Sequence, residues 1–299
     1  MVGGRDMKIK KTAEDRIIDI VVYGVMLVAA LITIIPFANV IAKAFSANWA
    51  VTAGRVSIWP IGFNLDSFKY VFSENSFWHS MFVSVCVTVV ATASGILITA
   101  VTAYPLSKKH LPGIKIILFL FVFTMLFNGG MIPDYLNMKR LGLINTFPVL
   151  ILPGLLSVYN MLIIKNYYES LPESIEESAK IDGASNPRIF FTIIAPLSIP
   201  VLATIILFIL VSFWNSYIPP MMYTTDPNLK TLQLYIRDLI AEATTNTSSG
   251  GMTNQNWENI SSEGMRSATI VISVVPMLII YPFLQKYFLK GILIGSVKG

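Results

Sequence analysis

Met81-Phe-Val-Ser-Val-Cys-Val-Thr-Val-Val-Ala-Thr-Ala-Ser-Gly-Ile-Leu-Ile-Thr-Ala-Val-Thr-Ala-Tyr-Pro-Leu106 is a run of 26 residues without one charge. A helix needs about 20 mostly apolar residues to cross a bilayer. This run is long enough, and similar windows lie on both sides of it. They fall at 20–42, 116–133, 143–164, 189–223 and 267–285. The third window along the chain is short. The fifth is over-long, so its crossing is placed at 193–220, and the last crossing at 267–287. The pattern predicts an all-α integral membrane protein with six transmembrane helices in a single domain over 1–299.

Composition agrees. Of 299 residues, 54% are hydrophobic and 13% charged, and the mean hydropathy is +0.66. A soluble domain carries roughly 25% charged residues, and a chain of this length lacks the interior volume to hide such an apolar excess. The formal charge is +5. Its positives sit at the ends of the apolar windows, which is the membrane pattern and not a nucleic-acid-binding face. One cysteine, Cys86, permits no internal disulfide. The two histidines, His79 and His110, are far apart in sequence, and no metal ligand set is expected.

Six crossings put both termini on one side. With the N-terminus inside, 14 of the 22 Lys and Arg fall on the inner segments and eight on the outer ones, spread over longer loops. The positive-inside rule places both termini in the cytoplasm. The basic N-terminal cluster Lys8–Lys11 fits an orientation signal, and the 20–42 window is too long for a cleaved signal peptide. Two outer loops are long. Loop 45–78 contains Leu65, Phe68, Val71 and Phe72 at helical spacing. Loop 224–266 opens with the helical pattern Leu232, Ile236, Leu239, Ile240 and continues into a Thr-, Ser-, Asn- and Gly-rich stretch to Asn256, read as a mobile loop.

The inner segment 169–192 carries the most specific pattern. Ser170 followed by Glu173 forms a capping-box spacing that starts a helix, with Pro172 tolerated in the first turn. Ile175, Ala179 and Ala184 fall near one face, while Glu173, Glu176, Glu177 and Lys180 stay in water. Asp182-Gly183 breaks the helix because glycine reaches backbone angles other residues avoid. Asn186-Pro187 then caps a second helix joined rigidly to the fifth crossing. A short bent helix of this kind can seat in a groove of another protein.

With its register out to Pro196 and Pro200, this segment resembles the EAA loop of binding-protein-dependent ATP-binding-cassette (ABC) importer permeases, Glu-Ala-Ala-x-x-x-Gly followed by proline. Glu177, Ser178, Ala179, Asp182, Gly183, Ala184 and Pro196 occupy the motif, with Ser178 where alanine is usual. The resemblance implies a type I importer permease fold and a coupling helix that docks into a separate ATPase. It also implies two copies of that nucleotide-binding subunit, a second permease chain, an extracellular solute-binding protein and a bacterial plasma-membrane location. ATP and magnesium would bind the partner ATPase and no cofactor would bind this chain. Asn64-Leu65-x-x-Phe68, Phe77-Trp78 and Gly291 with a basic tail are similar to the carbohydrate branch, as in its maltose-type second permease. Asn128 to Pro133, Leu141-Gly-Leu143 and Trp214-Asn-Ser-Tyr217 resemble the sub-branch that takes oligosaccharides from pectin or alginate.

Tyr159, Asn160, Trp214, Asn215 and Tyr217 have the chemistry of a sugar path, aromatic faces and amides. The competing reading is aromatic anchoring at the interface and helix–helix hydrogen bonding by asparagine. Ala91, Ser94, Gly95, Ala100 and Ala103 are small residues suited to close helix packing. No catalytic residue is expected: the crossings hold no clustered nucleophile or ionisable group away from their ends. No Gly-x-x-x-x-Gly-Lys-Ser/Thr occurs, so any ATP hydrolysis belongs to a partner. An ATP-independent channel or facilitator for a small solute, its inner loop a plain connector, is the alternative reading.

Overall fold

The computed structural model describes residues 13–245 and 261–296, with side chains over 14–241 and 261–282. In chain order the helices are α1 (Ala13–Ala44), α2 (Asn48–Thr52), α3 (Asp66–Ser73), α4 (Asn75–Leu106), α5 (Ile114–Leu126) and α6 (Met131–Arg140). Two 3₁₀ turns follow, Phe147–Leu150 and Leu152–Gly154. Then come α7 (Val158–Glu169), α8 (Glu173–Ile181), α9 (Asn186–Ile189), a π-helical turn (Phe190–Ile194) and α10 (Ala195–Leu197). The chain continues with α11 (Ile199–Trp214), α12 (Ile218–Tyr223), α13 (Leu232–Thr245) and α14 (Ser262–Ser296). The basic cluster Lys8–Lys11, the polar stretch running on to Asn256 and the side chains of the C-terminal tail lie outside the described residues.

Among the described residues, α1, α4 and the Ser262–Pro282 part of α14 are each long and apolar enough to cross a membrane alone. Three further candidates are bent pairs. α5 and α6 meet at 114°, the 3₁₀ segment Phe147–Gly154 meets α7 at 53°, and Asn186–Leu197 meets α11 at 83°.

The chain divides into two compact units. The first holds α1, α2, most of α3 and the first turns of α14. Among the described residues, α1 packs by its C-terminal end, where Ala42 meets Ala50, Val51 and Val56. The Lys43 ammonium pairs with Glu263 at 2.6 Å, and the Ser261 amide donates to the Asn48 side chain. Upstream, Ile20, Tyr23, Ile32 and their neighbours are largely exposed. An apolar helix bare over most of its length is stable in lipid, where it costs nothing to leave it uncovered, and untenable in water.

The second unit is built around α4. Ala91, Ala100 and Ala103 are buried, as their size requires for close approach. A Cβ on Gly95 would come 3.2 Å from the Leu155 carbonyl oxygen and 3.5 Å from Ile209 on α11. Small residues therefore let α7 and α11 pack against α4. The core joins Ala100, Ala103 and Leu106 of α4 to Met161, Ile164 and Tyr168 of α7 and Ile205 and Ile209 of α11. Ala179, Ile189, Phe190 and Ile194 belong to the same core, which ties α8 and α9 to one end of α4. At its other end α4 meets α13: Leu232 donates its amide to Ser84 Oγ at 2.7 Å, and Phe77 and Tyr235 pack edge to face.

Candidate functional site

α8 is a two-faced helix. Ala179 and Glu176 are buried and Ile175 is half-buried, while Glu173, Glu177, Ser178 and Lys180 face solvent. Its start differs from the expected capping box. Helix begins at Glu173 with Pro172 in extended backbone at the cap position and no side-chain cap. Ser170 instead closes α7, its hydroxyl donating to the Tyr167 carbonyl at 2.7 Å. The Leu171-Pro172 step separates the two roles, because the residue before a proline is driven out of helical backbone.

The end of α8 is as the sequence predicts. Gly183 sits at φ +77°. Its amide donates to the Lys180 carbonyl at 3.0 Å and the Ala184 amide to the Ala179 carbonyl at 2.9 Å. This pair of bonds is a Schellman motif, which uses the otherwise orphaned carbonyls and turns the chain sharply. Ala184 then packs on the core, and Asp182 and Gly183 stay exposed. Asn186 is the first helical residue of α9, one position inside the expected cap, with Ser185 in extended backbone before it and Pro187 in the first turn.

Two further expectations need correction. Glu176 is not in water: its residue is 9% exposed, its Oε1 pairs with the Lys108 ammonium and its Oε2 accepts from the Tyr104 hydroxyl at 3.2 Å. The second helix is not a rigid run into the fifth crossing. It bends by 83° at Ser198, between Pro196 and Pro200. Pro200 has no amide hydrogen to continue the ladder and its ring crowds the preceding turn. Pro196 itself is exposed.

The sequence reasoning missed the partners of this segment. Lys108 lies 4.7 Å over the Tyr104 ring. Tyr104, Tyr168 and Phe190 form an aromatic cluster with centroids 5.3 to 6.4 Å apart. The Tyr167 hydroxyl donates to the Leu197 carbonyl at 3.1 Å, fastening α7 to the end of α10. A cleft of about 380 Å³ opens beside this cluster, lined by Tyr104, Lys108, Lys180, Pro187 and Phe190 among others. Ile181, last in α8, is 86% exposed.

The candidate path residues are not gathered in one place. Trp214 is buried and lines a cleft of about 320 Å³ with Thr88 and Thr92 of α4 and Pro276 of α14, a cleft the other four do not line. Asn160 is buried in the first turn of α7, where its amide donates to Ser157 Oγ. Tyr159 and Tyr217 are exposed, and the Asn215 side chain donates back to the Val211 carbonyl at 3.0 Å. Asn128 makes a turn, accepting from the Gly130 amide. Among the described residues no cluster of three His, Cys, Asp or Glu could hold a metal.

Opposite the α8 end of α4, a cleft of about 390 Å³ is lined by Thr225, Asp226, Lys230, Arg237 and Asp238. Asp238 pairs with Lys230 at 2.7 Å and Arg237 at 3.0 Å. Burial pushes its carboxyl up, but the hydrogen bonds and charges of the two cations outweigh this and hold it below the usual carboxylate value.

Residues 110–294 match the family described as binding-protein-dependent transport system inner membrane component. The chain is 40% identical over 291 residues to the polygalacturonan/rhamnogalacturonan transport system permease protein YtcP of Bacillus subtilis, covering 96% of this chain and 100% of that one. It is 45% identical over 268 residues to the protein LplC of the same organism, covering 90% of each. Its fold matches a solved chain of a bacterial ABC transporter involved in the import of the acidic polysaccharide alginate. The TM-score is 0.85 with 31% identity, covering 93% of this chain and 99% of that one.

Proposed function

Since the chain belongs to the family of binding-protein-dependent transport system inner membrane components, we propose that it is one of two permease chains of an ABC importer for acidic oligosaccharides, docked through residues 169–192 to a separate ATPase. The observation that carries the docking role is the division of α8. Its inner face is held by the core and by Lys108, and its outer face presents Glu177, Ser178 and Asp182 around an Ile181 left exposed among the described residues. A short helix fixed on one side and showing one apolar residue ringed by polar ones fits a groove in a partner, since central apolar anchors with polar rims dominate interface energy.

The reading includes six crossings with both termini cytoplasmic, the three bent pairs counting as one crossing each. The contacts of α4 support this sidedness. Ser84 meets α13 and Tyr104 meets α8. At 1.5 Å per residue these points lie about 30 Å apart along the helix, the thickness of a bilayer core. α8 and α13 would then face opposite sides, α13 toward an extracellular solute-binding protein. ATP and magnesium would bind two copies of the ATPase. Closing those subunits would draw the coupling helices together and rock two permease chains between inward- and outward-facing states. The acidic substrate class rests on the names of the two relatives that transport or import uronate polymers.

The test is co-purification of the tagged chain with the ATPase encoded alongside it, for wild type and Gly183→Pro. Proline cannot adopt φ +77°, so the bend is lost. The expected result is an ATPase with wild type and none with the variant. Solute uptake by vesicles holding this chain alone would overturn the reading in favour of a facilitator.

A further inference from the structure

We propose that Lys108 is the positioning residue that clasps α8 to α4, so that displacement of the coupling helix moves α4 as a rod and reaches the α13 side of the unit. The inference rests on the docking role given to α8 above.

Apolar packing alone fixes α8 weakly. It enters through Ser170-Leu-Pro172 and leaves through Asp182 to Ser185, turns whose Leu171 and Ala184 rest on the core. Its buried apolar anchor is Ala179, whose single methyl gives little resistance to sliding. The polar anchor is different. Both carboxylate oxygens of Glu176 are engaged, Oε1 by the Lys108 ammonium and Oε2 by the Tyr104 hydroxyl. Lys108 in turn sits over the Tyr104 ring. Two bonds from two directions fix the carboxylate in place and in rotation, as one bond would not.

The surroundings favour this geometry. The Lys108 and Glu176 side chains are 20% and 12% exposed, so solvent and salt screen them weakly. Tyr104 also packs against Phe190 and Tyr168, which carries the joint to the π-helical turn after α9 and to α7. Lys108 lies two residues past the end of α4, and its amide still donates to the Pro105 carbonyl at 3.1 Å. The cation is therefore fixed to the helix end and not to a free loop. Such a pair adds little net stability over an apolar substitute, because desolvating two charges offsets their attraction. What it supplies is register, and register between a docking helix and a 32-residue rod is what a stroke needs.

The experiment uses the assembled transporter in proteoliposomes with its binding protein and an oligogalacturonate. It measures ATPase co-purification, hydrolysis rate and sugar carried per ATP for Lys108→Met, Glu176→Gln and the exchange Lys108→Glu/Glu176→Lys. Each single variant is expected to retain the ATPase and to hydrolyse ATP, while sugar per ATP falls roughly tenfold, the usual size of a coupling term. The exchange is expected to restore most of the ratio. Lys108→Arg, which keeps the charge, should stay near wild type and guards against a mere folding defect. A wild-type ratio in both single variants would overturn the clasp while leaving the docking role intact. Loss of the ATPase from the Glu176→Gln complex would also overturn it, by making Glu176 part of the docking face. Failure of wild type to bind the ATPase would remove the docking role itself.

Discussion

Gly183 holds φ +77° with open space where a Cβ would stand. Substitution there is resisted by the backbone alone and not by any neighbour. Gly183→Ala should therefore destabilise the turn by about 1 kcal/mol, the lower end of the left-handed penalty. Lone Cys86 gives the readout: a thiol-reactive dye should report a melting midpoint lowered by a few degrees. An unchanged midpoint would mean the turn relaxes freely. This glycine was legible in the sequence because its role is local: a helix must stop, and the residues that stop it are its neighbours. Glu176 was not legible for the opposite reason. Lys108 and Tyr104, which take it out of water, are about seventy positions upstream, and no periodicity within 173–181 distinguishes a carboxylate with a distant partner from one without. The one available hint was its place beside Ala179 on the inner face, three residues apart on a helix.

At the scale of elements, the uncharged run 81–106 lies within one helix, α4, although it contains Gly95 and Pro105, whereas three other apolar windows are broken into bent pairs. Pro196 and Pro200 convert one expected rigid run into two helices meeting at 83°, and the Gly129-Gly130 pair lies between α5 and α6. Angles of this kind depend on which neighbours the broken turn can pack against, which a single chain pattern does not contain. The amphipathic pattern of α13 was legible, but not the charge cluster at its start. Asp238 is held below the usual carboxylate value: burial raises it, and Lys230 and Arg237 more than compensate. A carboxyl lowered on folding contributes stability that is complete above its unfolded value, about 3.9, and is lost only as pH falls through the lower folded one. Between pH 7 and pH 5 the amides of Leu232 to Ala241 should therefore show constant hydrogen-exchange protection, after correction for intrinsic rates. Asp238→Asn should lower that protection equally at both values. Unchanged protection in Asp238→Asn would mean that Asp238 does not hold the helix.

At the scale of the molecule, α4 is the reference that gives the other elements of its unit a direction. Its N-terminal half contacts α13 through Phe77 and Ser84, and its C-terminal end contacts α8 and the Phe190 turn through Tyr104. Under the proposed topology the Lys and Arg pattern puts the α8 segment inside and α13 outside, at opposite ends of α4. That arrangement has a direct test in a Cys86→Ser background. A cysteine at exposed Ser178 should react with a membrane-impermeant maleimide only in inside-out vesicles. A cysteine at Asn228, beside His79 at the other end of α4, should react only in intact cells. The same sidedness for both positions would break the assignment of α4 as a crossing helix, since the ~30 Å between its two attachment points would then have to lie along the membrane surface. An apolar helix of 32 residues with 39% of its most apolar window buried would be costly to hold there, because its uncovered residues, among them Phe82, Val89 and Leu97, would face water. Opposite labelling is therefore the expected result.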